Sequence, residues 1–151
     1  MLASPDFKEL LSIFNDNGVL YLVVGGYAVM KYTEPRFTKD LDLWISTTPD
    51  NAERVYAALK QFGAPMKGLV PEDFTDVTSY YQMGRPPFRL DVIMGLKGLD
   101  FDRAYNNRNM VMILDIEVPF ISIEDLIIAK EHSGRPQDLI DLANLKKTQE
   151  I

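Results

Sequence analysis

No cysteine occurs among the 151 residues, and there is one histidine, His132. The first absence removes disulfides, thiolate zinc sites and thiol nucleophiles, and the second removes any centre that needs two imidazole ligands. Basic residues are in deficit: 16 Lys and Arg against 22 Asp and Glu leave a formal charge of −6. That balance argues against a long nucleic acid held by broad phosphate neutralisation, although a small local patch still suffices for tRNA. No apolar run approaches the roughly 18 residues of a membrane span, and the opening MLASPDFKEL lacks the basic-then-apolar layout of a signal peptide. The expected address is therefore cytoplasmic, with no membrane partner. No repeat, low-complexity tract or linker interrupts the sequence, and its length suits one compact domain over residues 1–151.

What is present alternates between strand and helix patterns. Ser4-Pro5 caps a helix that carries Phe7, Leu10, Leu11 and Phe14 at helical spacing and stops at Asn17-Gly18. Leu20 to Val24 is an apolar, β-branched strand ending at Gly25-Gly26, and a helix opens directly after the glycines over Tyr27 to Tyr32. Asp40 to Ile45 alternates acidic with apolar and reads as a strand; Thr48-Pro49-Asp50 then caps a helix that ends at Gly63. Residues 64–78 show no period and read as a loop or an irregular insertion, and the stretch to Pro87 reads as an acceptor loop or a lid. Strands are predicted at Phe88 to Met94, Met110 to Leu114 and Glu117 to Ile121. A helix follows from Ser122 through Lys130, and a last one opens at Pro136 with Leu139, Ile140, Leu142 and Leu145 as core residues. The fold class is α/β (α+β), a small mixed sheet flanked by helices.

Side chains alternate across a strand, so Asp40 and Asp42 share one face while Leu41, Leu43 and Ile45 take the other into the core. Two like charges a few ångströms apart on a rigid support repel, and a cation between them keeps both ionised. Asp91, in Arg89-Leu90-Asp91-Val92-Ile93, has the same local form; if the two strands are neighbours, three carboxylates converge. Oxygen-only ligands suit Mg²⁺ or Mn²⁺. Gly25-Gly26 at a strand-to-helix turn lets backbone N–H groups approach phosphate oxygens without a Cβ in the way. Asp91 is the candidate to take the proton of an acceptor hydroxyl, either as a metal ligand or as a general base.

The run Leu22 to Tyr32, then Thr38 to Ile45, then Arg89 to Ile93, resembles the signature of the DNA polymerase β-like nucleotidyltransferase superfamily. That resemblance implies a minimal nucleotidyltransferase fold and transfer of a nucleoside monophosphate from a nucleoside triphosphate to a hydroxyl, which an RNA or tRNA end, a protein or a small molecule would supply. Asp40, Asp42 and Asp91 would be the catalytic metal ligands. The form Gly25-Gly26-Tyr27-Ala28 is similar to small prokaryotic members that include abortive-infection toxins, which implies a cognate antitoxin as a partner. The segment Ile128 to Asp141 looks similar to the later motif of that branch, in which Lys130 would contact the triphosphate with Arg135, Asp138 and Asp141 in support. On this reading replacing Lys130 weakens triphosphate binding more than folding.

Plainer readings stand beside these. Lys130 also suits a helix end, Gly134 a C-cap and His132 a helix-end surface position. Arg36 and Lys39 precede the acidic strand, where they either contact phosphate or balance Asp40 and Asp42; Lys31, Lys97, Arg103, Arg108 and Arg135 are solvated surface or part of one anionic-ligand patch. Trp44 and Tyr80-Tyr81 read as packing residues, with a base-stacking tyrosine as the alternative. The competing functional reading is a non-catalytic or partner-dependent module of the same fold that binds nucleotide or protein.

Overall fold

The computed structural model describes residues 5–35, 38, 40–85 and 88–150, so Ser4, Arg36 and Lys39 lie outside the described residues. Along the chain run α1 (Pro5–Asp16), β1 (Tyr21–Val24), α2 (Gly25–Tyr32), β2 (Asp40–Ile45), α3 (Pro49–Phe62), β3 (Tyr80–Arg85), β4 (Phe88–Ile93), α4 (Phe101–Asn106), β5 (Asn109–Ile113), β6 (Ile116–Phe120), α5 (Ile123–Ser133) and α6 (Pro136–Gln149). The six strands form one mixed sheet in the order β3-β4-β2-β1-β6-β5. β1 is antiparallel to β2, while β2 and β4 are parallel with Asp42 directly beside Asp91.

Alternation along β2 and β4 gives the sheet two unlike faces. Leu41, Leu43, Ile45, Leu90 and Val92 are fully buried on one side. Phe88 lies on that same side, and its ring meets Phe7 of α1 at 4.7 Å and Phe62 of α3 at 6.0 Å, so α1 and α3 cover the apolar face. The other face carries Asp40, Asp42 and Asp91 and, one step along each strand, Trp44 and Ile93; the indole packs edge-on against Phe101 of α4 at 5.1 Å.

A buried amide ties this framework together. Asn51, in the first turn of α3, accepts from Leu20 N at 2.8 Å and donates to Leu20 O at 3.1 Å and to Ser46 O at 2.8 Å, joining the start of β1 to the end of β2. Asn51→Ala removes the side-chain partner of Leu20 N and Ser46 O, while Leu20 O keeps Ser46 N at 3.2 Å, so a loss of about 2–3 kcal/mol is expected in urea unfolding. A change below about 0.5 kcal/mol contradicts that role.

Several expectations need correcting. Residues 64–78 are not wholly irregular: Pro71–Thr75 forms a 3₁₀ turn that buries Phe74. Tyr80 begins an edge strand paired to β4 rather than a loop or lid, and its side chain is 65% exposed, while Tyr81 donates to Pro65 O at 2.9 Å. α4 was not expected; six residues give too short a period to read, although Asp100 accepts from Arg103 N as its N-cap. On α6, Leu139 and Ile140 are 55% and 57% exposed rather than core, and the helix buries Asp138, Asp141 and Leu145 instead. The β5–β6 hairpin closes through Leu114 and Asp115, both at positive φ, as a two-residue hairpin turn whose twist matches its strands. Among the described residues no helix is long and apolar enough to cross a membrane.

Candidate active site

The site forms where the C-terminal end of β1 meets the N-terminal half of β2 and the middle of β4. Val24 lies opposite Asp42, and the next residue, Gly25, starts α2. One carboxylate oxygen from each of Asp40, Asp42 and Asp91 falls within 4.8 Å of the others. The parallel β2–β4 register makes this possible, because it sets Asp42 and Asp91 on the same rung with their side chains on the same face.

Gly25 is held at φ 68°, and a Cβ there would stand 2.0 Å from Asp42 Oδ2. The glycine therefore gives the backbone direct access to the carboxylates, and α2 opens with no side chain capping its N-terminal N–H groups. A cleft of about 400 Å³ runs from Gly25 and Gly26 across the three aspartates to Lys130, Arg135, Gln137 and Asp138. So Gly25, Gly26, Asp40, Asp42, Asp91 and Lys130 meet around one cavity, whereas Lys39 is outside the described residues.

Electrostatically the three carboxylates oppose one another. Burial, with repulsion from Asp91 and Asp40, pushes the Asp42 carboxyl up to about 8, against a weaker opposing pull from Lys130. Asp91 Oδ1 is buried and accepts no hydrogen bond. Three hard oxygen donors, a buried acceptor atom without a donor and a backbone cradle that a Cβ would fill together fit a divalent cation with phosphate oxygens.

Lys130 is only 7% exposed, and its Nζ donates to Asp138 at 2.8 Å and Asp141 at 3.2 Å. Asp138 is also bound by Arg135 Nε at 2.7 Å and by the Ser133 hydroxyl, and Gln137 donates to Asp141 at 3.0 Å. Burial opposes the ionised form of Asp138, yet the hydrogen bonds from Arg135, Lys130 and Ser133 outweigh it and hold this carboxyl well below the usual range. Lys130 is thus a clamped ammonium tying α5 to α6 at the edge of the cleft. His132 is exposed at the end of α5, with Nδ1 2.9 Å from Ile128 O, and Arg108 lies over the Tyr105 ring at 4.0 Å; neither lines the cleft.

Sequence reasoning passed over Arg89, Ser133 and Gln137. Arg89 Nε lies 3.5 Å from Asp40 Oδ1 and 3.7 Å from Asp91 Oδ1. The period-two rule that grouped Asp40 with Asp42 also groups Arg89 with Asp91, so that signal was available. Gln137 stands one helical turn before Asp141, a spacing that also announces contact.

A glycine pair at a strand-to-helix junction, set against three carboxylates on two adjoining strands, is the arrangement of a nucleotidyltransferase. The chain belongs to the family described as "Nucleotidyltransferase of unknown function (DUF6036)", whose model matches residues 6–151. That membership makes it a transferase enzyme by class. No curated protein sequence matches it. Among solved structures it is similar to the lincosamide antibiotic adenylyltransferase LnuA in its lincomycin-bound form, at TM-score 0.60 and 18% identity over 95% of this chain and 96% of that one. The antibiotic-resistance factor ANT(2'')-Ia is similar at TM-score 0.64 and 11% identity, over 95% and 82% of the two chains. A putative nucleotidyltransferase from Thermotoga maritima is similar at TM-score 0.60 and 15% identity, over 95% and 91%. These likenesses establish the mixed-sheet nucleotidyltransferase fold.

Proposed function

We propose that this chain is a divalent-metal-dependent enzyme that transfers a nucleoside monophosphate from a nucleoside triphosphate to a hydroxyl of a small molecule. The convergence of Asp40, Asp42 and Asp91 oxygens within 4.8 Å, against a glycine that admits no Cβ, carries this reading. The α2 N-terminus and the Gly25 and Gly26 N–H groups receive the triphosphate, and Lys130 and Arg135 contribute positive potential from the far wall. Asp40, Asp42 and Asp91 would hold the cation, Mg²⁺ or Mn²⁺, which would supply neutralisation of phosphate charge and acidify the acceptor hydroxyl. The acceptor oxygen bonds to the α-phosphorus as the bond to the β-phosphate oxygen breaks. Pyrophosphate leaves, and the Asp91 carboxylate, as a metal ligand or as a general base, draws off the hydroxyl proton.

A small acceptor is supported by the charge of −6 and by a second cleft of about 720 Å³ that begins at Trp44, the rung partner of Ile93 in the carboxylate cleft. Ser46, Thr47 and Thr78 offer hydroxyls there, and the volume suits a drug-sized ligand. Solved relatives that carry lincomycin and adenylyl-2''-tobramycin are in keeping with this class of acceptor. The abortive-infection branch, with its antitoxin partner, rests on the Gly25 to Ala28 form and on the likeness of Ile128 to Asp141 to that branch's later motif.

Calorimetric titration of each nucleoside triphosphate with Mg²⁺ tests the site, comparing the native chain with an Asp40→Asn, Asp42→Asn double variant. Binding that needs Mg²⁺ and vanishes in the variant is expected, followed by transfer of α-labelled phosphate to a pool of small hydroxyl compounds. Label on tRNA or on protein moves the acceptor to that class, and no binding by a folded sample overturns the reading.

A further inference from the structure

Among the described residues Arg89 is a cation in contact with the carboxylate trio, and its placement differs from that of Lys130 and Arg135. Those two are locked onto Asp138 by hydrogen bonds of 2.8 and 2.7 Å. Among the described residues, Arg89 instead shares a single nitrogen between Asp40 and Asp91, at 3.5 and 3.7 Å, beyond ordinary hydrogen-bond length. Its side chain is one-third exposed, and its rung partner on the outer strand is Gly84, which adds no side chain beside the guanidinium. Both oxygens it touches belong to the carboxylates that would hold the cation.

We propose that Arg89 couples cation binding to nucleotide binding, resting on Asp40 and Asp91 in the empty enzyme and passing to the phosphates of an arriving nucleoside triphosphate. The inference rests on the metal and nucleotide reading above. A cation arriving alone meets oxygens already faced by the guanidinium and must displace it without compensation. With a triphosphate present, the displaced guanidinium gains phosphate oxygens, which its planar fork matches in pairs. Each ligand therefore raises affinity for the other, and linkage requires that coupling to be reciprocal. The device discourages a bare metal from occupying the site and favours loading of the metal–nucleotide pair.

Free Mn²⁺, followed by electron paramagnetic resonance, measures the coupling directly in the native chain, Arg89→Gln and Arg89→Lys, each with and without a non-hydrolysable α,β-methylene triphosphate. In Arg89→Gln, Mn²⁺ alone binds more tightly than in the native chain, by about threefold or more, and the factor by which nucleotide improves Mn²⁺ binding falls about tenfold, within the usual range of coupling between sites. Arg89→Lys keeps bare Mn²⁺ affinity near native, because the charge remains, yet loses part of the coupling, because the fork is gone. Unchanged coupling in either folded variant overturns the proposal, as does an equal weakening of Mn²⁺ with and without nucleotide, which marks mere structural support. A native chain that binds no Mn²⁺ under either condition overturns the metal reading itself and this inference with it.

Discussion

Asp42→Asn yields a chain that is more heat-stable than the native one at pH 8 and that has lost nucleotidyl transfer by about 10³-fold or more, the scale of removing one preorganised electrostatic group. The two effects have a common origin. Asp42 is crowded by Asp91 and Asp40 in a largely buried position, and its carboxyl is pushed up to about 8 from an ordinary 3.8. Between those values the folded chain binds more protons than the unfolded one, so the native protein loses stability as pH rises from about 4 to about 8. The amide carries no charge to repel, so the variant's melting temperature stays flatter over the same window. A gain of about 1–3 kcal/mol at pH 8 is expected, the range for relieving a buried group without a partner, and it corresponds to a few degrees in melting temperature. Mg²⁺ raises the melting temperature of the native chain and leaves that of the variant nearly unmoved. Thermal melts from pH 4 to 8 with and without Mg²⁺ check this. A variant less stable than native at pH 8, or one that retains transfer, contradicts the assignment.

Lys130→Met destabilises the fold by about 3–5 kcal/mol, the cost of breaking a buried ion pair from one side. The sequence alone ranked the nucleotide effect of replacing Lys130 above the folding effect; the contacts to Asp138 and Asp141, both buried, add a folding cost that the sequence did not show. The acid dependence supplies a second signature. Asp138 is held low in the native chain, so its contribution is present above the ordinary carboxylate pKa and is lost as pH falls below it. Without the lysine, Asp138 keeps Arg135 and Ser133 and Asp141 keeps Gln137, but the buried carboxylates lose the ammonium between them. Below the ordinary carboxylate pKa the native chain loses the Asp138 contribution, and in Lys130→Met, where that contribution is smaller, the acid loss of melting temperature is shallower. Adding Asp141→Asn to the variant recovers part of the loss, and a drop under about 0.5 kcal/mol with an unaltered pH profile sinks the clamp.

The strands that hold the carboxylates were legible because each carries its own instruction: Leu41, Leu43, Leu90 and Val92 bury, and that forces Asp40, Asp42 and Asp91 to the opposite face. The glycine pair was legible as punctuation between a β-branched strand and a helix. The neighbour relation of β2 and β4, on which the convergence depends, is not local information; it was a condition in the sequence and a register in the structure. β3 escaped notice because an edge strand that pairs on one side needs little apolar alternation, and Gln82 and Gly84 dilute what there is. α6 misled in the other direction. Its leucines at helical spacing read as a core stripe, yet the helix is rotated so that Asp138 and Asp141 turn inward to Lys130 and leave Leu139 and Ile140 in water. A buried ion-pair network overrode the hydrophobic period, and no propensity announces such a partner eight and eleven residues away.

The clamp also bears on the order in which a growing polypeptide becomes competent. By the time Asp91 has emerged from the ribosome, the pieces of the carboxylate trio are all present, but Lys130 has no counter-charge until Asp138 and Asp141 follow it. A chain interrupted between them carries the acidic wall of the cleft without the helix that closes it. The second wall of the cleft is therefore the last part of it to be made, after the two strands that carry the three carboxylates.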